Sequence, residues 1–258
     1  MGKCWEVAKI TLREAISKNH IYVLMILTMF IFFGASYLNF FELEKDTGFY
    51  KIIPMFSIPL LCIIIATFAA ARQIPTERNA KTLYPLLAKP IKRYQFIIGK
   101  YIGVEIISLI SMVVLTAVFV VIMMGKGAEI NKLFYQAIFL LFLQCSIHTA
   151  LVLFLSTALS YEANITISLS LYFFLQSIGR DMELSLQSDL GLPQATQSLY
   201  TFFSTALPRY DYFNITKAVL HNWTPLSNTV LLPFIGYASL YIFVFLGLGI
   251  LIFRNKEI

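Results

Sequence analysis

Charged side chains are scarce in this sequence: Asp, Glu, Lys and Arg make up 13% of 258 residues, against 58% apolar ones. That is too little polar material to coat a water-soluble globule of this size, which excludes a soluble enzyme or a nucleic-acid-binding domain. Cysteine is also sparse. There are three, an odd number, with Cys62 and Cys145 inside apolar runs and Cys4 near the start, so they form no disulfide framework and read as packing residues. Catalytic motifs are missing as well. Gly99-Lys100 is no nucleotide loop, because Tyr94 stands where a glycine is required and Tyr101 follows the lysine. With no Gly-x-Ser-x-Gly, His-Glu-x-x-His or membrane-embedded aspartate pair, no hydrolase constellation exists, and catalytic, metal and cofactor sites are expected to be absent. The opening "MGKCWEVAKITLREAISKNH" has no early apolar core before a small-residue cleavage site, so it is not expected to be a signal peptide.

What the chain has instead is apolar runs long enough to cross ~30 Å of hydrocarbon as helices. Six spans are expected, near 21–41, 52–71, 97–124, 133–159, 164–180 and 227–253, in a single all-α transmembrane domain covering 1–258. The fifth is the shortest. Without it the C-terminus would change side. With six spans and both termini on one side, thirteen of the twenty Lys and Arg fall on that side, which the positive-inside rule makes cytoplasmic. No internal repeat is visible, so the inverted halves of many secondary transporters are not expected.

Three segments stand out from the spans. Residues 1–20 place Val7, Ile10, Thr11 and Glu14 at helical spacing behind Trp5, with Lys9, Arg13 and Lys18 around a polar side, and read as an interfacial helix. Residues 72–96 form a basic cytoplasmic loop. In it Thr76 can cap a short helix with Glu77 in the first turn, Leu83, Leu86 and Leu87 make a small apolar face, and Pro90 ends the helix. Clamped between two spans, such a helix is suited to pass force. Residues 181–226 are expected outside the membrane as aromatic-rich interfacial helices, with Leu199, Phe202, Phe203 and Ala206 on one face and Tyr210, Tyr212, Phe213 and Trp223 following. They either cap the bundle or form a gate or a contact for an extracytoplasmic partner. Inside the spans, Glu105, Gln144 and His148 are the candidate polar site, since ionisable groups in hydrocarbon are functional suspects. Gln144 and His148 share a helical face and read best as interhelical hydrogen-bonders, because Cys145 and His148 supply too few ligands for zinc or copper.

Glu77, Thr82-Leu83, Leu86-Leu87, Lys89-Pro90-Ile91, Arg93 and Gly99-Lys100 together form a pattern that resembles the cytoplasmic coupling loop of type-2 exporter permeases of ATP-binding-cassette transporters. The N-terminal helix, the six spans and the terminal "FRNKEI" are similar to the same family, and "LPRYDYFNI" resembles the subset associated with multicopper-enzyme maturation, such as that of nitrous oxide reductase. The resemblance implies a permease in the inner (plasma) membrane that pairs with a second permease chain, identical or related. It implies a separate cytoplasmic ATPase that binds ATP and Mg and is contacted by Thr76, Glu77, Arg78, Lys81, Thr82, Leu83, Leu86, Leu87 and Lys89. The function implied is export of a substrate the sequence does not name. The alternative is a non-transporting scaffold that passes force to an extracytoplasmic protein. Pro85 departs from a regular coupling helix, so the element is two short turns or begins near Thr82. A secondary transporter driven through Glu105 is a third option.

Overall fold

The computed structural model of the chain describes residues 2–17, 47–79, 92–125, 130–187, 207–221 and 223–255, with the single positions 26 and 198. The expected span 21–41 (Ile26 apart), the loop residues 80–91 and residues 188–206 (Ser198 apart) lie outside the described residues. Among the described residues the secondary structure is helical, without strands. The helices are α1 Gly2–Ser17, α2 Thr47–Asn79, α3 Arg93–Gly125, α4 Lys132–Ser156, α5 Tyr161–Gln187, α6 Thr216–Leu220 and α7 Asn228–Asn255, with a 3-10 turn at Tyr210–Phe213 before α6.

Four described helices are long and apolar enough to cross a membrane, at Met55–Arg78, Arg93–Val121, Lys132–Ser156 and Thr229–Arg254. α5 covers the expected 164–180 but is less apolar, and its polar residues have a local cause. Asn164 donates to the Val152 carbonyl of α4 (3.1 Å), Ser168 donates to Asn164 (2.9 Å), and Gln176 accepts from Gln144 of α4 (2.8 Å). Polar groups turned onto a neighbouring helix lower hydropathy without exposing anything to lipid. The large apolar side chains left uncovered, among them Val113 and Val121 of α3 and Leu240 and Phe243 of α7, suit hydrocarbon and would be a liability in water.

The sequence places a new helix at Thr76. The structure corrects this: α2 continues unbroken through Pro75, Thr76 and Glu77 to Asn79. The physical reason is a long-range partner, since Glu77 is drawn inward to Lys100 of α3 rather than waiting at a helix N-terminus. α3 does begin where a turn signal is present. The Gln95 side chain reaches back to accept the Lys92 N–H (3.1 Å), the returning half of a capping box.

α1 runs beside α3, in the same direction. A Cβ added to Gly99 would lie 2.7 Å from the Cys4 carbonyl and from Val7 Cβ, and one on Gly103 would lie 2.6 Å from Thr11 Cβ and 3.0 Å from the Ala8 carbonyl. One turn on, Leu12 and Ala15 pack with Ile107 and Ile65. Each helix advances by four residues per contact, so the backbones approach along a stripe from which side chains are absent. Apolar burial drives helix association little in lipid, so this close packing and a few polar bonds do the holding. The helix expected at the interface follows α3 from Gly99 to Ile107.

The main core lies between α2, α3, α4, α5 and α7, and it includes Tyr210, Phe213 and Val219 from the segment before α7. Leu226 exchanges two hydrogen bonds with the Gln136 side chain near the start of α4, whereas Tyr210 lies against His148. Those two positions on α4 are twelve residues apart, or about 18 Å of helix. The chain therefore climbs along α4 from Tyr210 to Leu226, having entered deep into the bundle. Tyr210 and Phe213, expected at headgroup level, are fully buried, while Tyr212 and Trp223 are exposed.

Gly103→Val should push Thr11 away and loosen α1, at a cost of about 1–3 kcal/mol. Thermal unfolding in detergent would show this as a lowered midpoint, whereas Gly236→Ala, with nothing within 4 Å of the added carbon, should be neutral or slightly stabilising.

Candidate functional site

At one end of the bundle a single ammonium organises three helices. Lys100 is 1% exposed. Its Nζ forms an ion pair with Glu77 at the end of α2, donates to Gln73 Oε1 one turn earlier (2.9 Å), and lies 4.0 Å from Glu14 of α1. The Phe96 ring, 5.5 Å away, covers it from the side. Gln73 is itself oriented by donating to the Ala69 carbonyl (3.0 Å). A buried charge this well surrounded is held in place rather than stabilising by itself, because desolvation offsets most of the Coulomb attraction. Its consequence is geometric. The two helices flanking residues 80–92 are bound to one atom.

Arg93, the first residue of α3, ties a fourth helix to the same end. Its Nη1 donates to the Phe253 and Arg254 carbonyls (2.9 and 2.7 Å), two of the acceptors that the last turn of α7 leaves open. Phe96 stacks on Phe253 at 5.7 Å, and the Arg93 guanidinium lies 5.9 Å from the same ring.

A second constellation lies deeper. His148 of α4 is fully buried, with Nε2 3.0 Å from the Thr67 hydroxyl of α2 and Nδ1 3.3 Å from the Tyr210 hydroxyl. An imidazole with one donor and one acceptor nitrogen satisfies both hydroxyls without bringing charge into the bundle. Tyr172 of α5 meets His148 edge-on at 5.6 Å and Tyr210 at 6.0 Å. The turn carrying Tyr210 is built locally. Arg209 grips Asp211 (2.9 Å) and lies 4.2 Å from the Tyr212 ring, and Asn214 Oδ1 accepts the Thr216 N–H (3.2 Å) at the head of α6. α7 holds it from outside: the Tyr237 hydroxyl accepts the Arg209 N–H (2.9 Å), and Phe213 packs on Phe234 and Tyr237.

Of the polar residues expected inside the spans, Glu105 meets the Ser146 hydroxyl of α4, and its Oε2 is buried without a hydrogen-bond partner among the described residues. Gln144 donates to Gln176 and faces away from Glu105's partner. The three residues named as one intramembrane site therefore belong to three separate contacts. Among the described residues no group of three His, Cys, Asp or Glu could hold a metal ion.

Of the residues expected to touch an ATPase, Glu77 points into the bundle, Thr76 is half-buried and Arg78 is exposed. Lys81, Thr82, Leu83, Leu86, Leu87 and Lys89 lie outside the described residues. Of the aromatic set, Tyr210, Tyr212 and Phe213 share one turn, and Phe202 and Phe203 lie outside the described residues. Sequence reasoning missed Gln73, Gly103, Thr67 and Tyr237. Only Gly103 carried a readable signal, since Gly99-x-x-x-Gly103 is the small-residue spacing that lets helices approach.

Residues 5–258 match the family described as ABC-2 family transporter protein. The chain belongs to that family. It is therefore a multi-pass membrane component of an ATP-binding-cassette transporter, and the family implies a partner ATPase subunit. No curated protein matched the sequence.

Lys100→Met should leave Glu77 buried opposite an uncharged chain and cost about 3–5 kcal/mol. The double change Lys100→Met with Glu77→Leu should recover most of that loss in the same unfolding measurement.

Proposed function

We propose that this chain is the permease of an ATP-binding-cassette exporter, driven through residues 76–90 by a separate ATPase that binds ATP and Mg. The observation that carries the reading is the Lys100 ion pair. Because one buried ammonium holds the end of α2 and the start of α3, a push on the segment between them moves both helices together. α1 follows through Glu14 and the glycine stripe. In this reading six spans cross the membrane, the described ones joined by 21–41 and α5, and both termini are cytoplasmic. The outward ends open between two permease chains, identical or related, and the uncovered apolar face of α7 suits lipid or the second chain.

The turn bearing Tyr210, Tyr212 and Phe213 is the gate in this scheme, with Phe202 and Phe203 ahead of it. Its insertion beside His148 favours gating over a surface cap, since a surface cap would not fill the bundle core. Exposed Tyr212 and Trp223 keep a second reading in view, in which the same movement is handed to an extracytoplasmic protein, as in the multicopper-maturation subset. Glu77, turned inward, serves the permease's own geometry, and the docking contacts fall to Arg78 and the leucines beyond it.

Leu83→Asp with Leu87→Asp should abolish recovery of the ATPase with the affinity-purified permease while leaving the permease folded. Undiminished recovery would count against the coupling role.

A further inference from the structure

We propose that α7 is a connecting rod between the start of α3 and the Tyr210–Phe213 turn, with Arg93 and Tyr237 as the positioning residues at its two ends. This rests on the exporter reading and adds the route by which movement reaches the gate. Three observations carry it.

The first is the attachment at the Arg93 end. The guanidinium donates two hydrogen bonds to the final carbonyls of α7, and Phe253 is stacked on Phe96 three residues into α3. Two N–H groups of one guanidinium nitrogen, held on two open carbonyls, fix direction as well as distance.

The second is the attachment at the other end. Tyr237 accepts the backbone N–H of Arg209, the residue that brackets the turn through Asp211, and Phe213 lies against Phe234 and Tyr237. Tyr237 and Phe253 are sixteen residues apart, so the two attachments are separated by about 24 Å of continuous helix.

The third is the one-sided packing between them. Only 11% of the most apolar stretch of α7 is buried, against 67% for α4. Its inner face is packed on the core along its length, through Ala238, Tyr241, Ile242, Phe245 and Ile250, with Phe245 stacked on Phe154 and Gly249 facing Phe154 Cα. A stiff helix fastened at both ends and packed on one face transmits displacement. α4, buried along its length, serves as the frame against which it moves.

The test uses the purified complex of permease and ATPase in lipid, with Cys4 replaced by Ser and a reporter thiol introduced by Lys217→Cys on α6, an exposed position; Cys62 and Cys145 are buried. The rate of modification by a water-soluble maleimide is compared without nucleotide and with Mg-ATP and vanadate. In the parent the nucleotide should change the rate. In Arg93→Ala and in Tyr237→Phe that change should fall about three- to tenfold, the range expected for losing a charged or buried hydrogen bond, while ATP hydrolysis and the unfolding midpoint persist. Arg93→Lys should restore part of it, because an ammonium can still donate to a terminal carbonyl. An unchanged response in either variant overturns the rod and leaves the exporter reading standing. A parent that hydrolyses ATP with no response at position 217 overturns both. Should Arg93→Ala fail to fold or to retain the ATPase, Tyr237→Phe, at the far end of the helix, decides alone.

Discussion

One buried ammonium sets the geometry on which the rest of the structure depends. Lys100 is withdrawn from water and held by Glu77, Gln73 and Glu14, which come from two other helices. A charge so placed tolerates no drift of its partners, because separating them would leave an uncompensated ion in a low-dielectric region. The end of α2, the start of α3 and the body of α1 are thereby made into one block. Had the site been apolar, the helices could have slipped past each other by small steps at little cost. The ion pair makes their arrangement all or nothing.

The glycines strengthen that block by a different means. Gly99 and Gly103 bring the α1 backbone so near that a single methyl group would collide. In lipid, where apolar burial contributes little between helices, such close approach and polar bonds are what remain to hold a bundle together. The Tyr210 turn is secured on the same principle. Thr67, His148 and Tyr210 form a polar chain across the core, and Arg209 and Asn214 satisfy the turn's own polar groups, so irregular backbone is accommodated deep between helices.

Much of this was legible in the sequence where the signal is local. Apolar runs located the four long apolar helices among the described residues, and the helical spacing of Val7, Ile10, Thr11 and Glu14 found α1, although Ile10 is exposed. Gln144 and His148 were read as hydrogen-bonding across helices, which is where the structure places them. What failed to show was pairing at a distance. Thr76-Glu77 after a proline has the appearance of a helix start, and only Lys100, across the loop, explains why the helix goes on. The aromatic cluster around Tyr210 has the composition of a headgroup belt. Its true partner, His148, is 62 residues away, and nothing in spacing announces it. α5 looked weak as a span because Asn164, Ser168 and Gln176 reduce its hydropathy, and these are the residues it turns onto itself and α4. Gly99-Lys100 was noticed as a pair, but its two residues have separate duties: the first admits α1, the second binds α2.

The order of residues along the chain gives the ion pair a bearing on biosynthesis. Glu14 and Glu77 are both synthesised before Lys100, so the buried contact that joins the three helices closes only once α3 is made. Delivery of α2 and α3 as a hairpin presents Glu77 and Lys100 to each other as they enter the bilayer. Translation order thus favours insertion of these two helices as a unit.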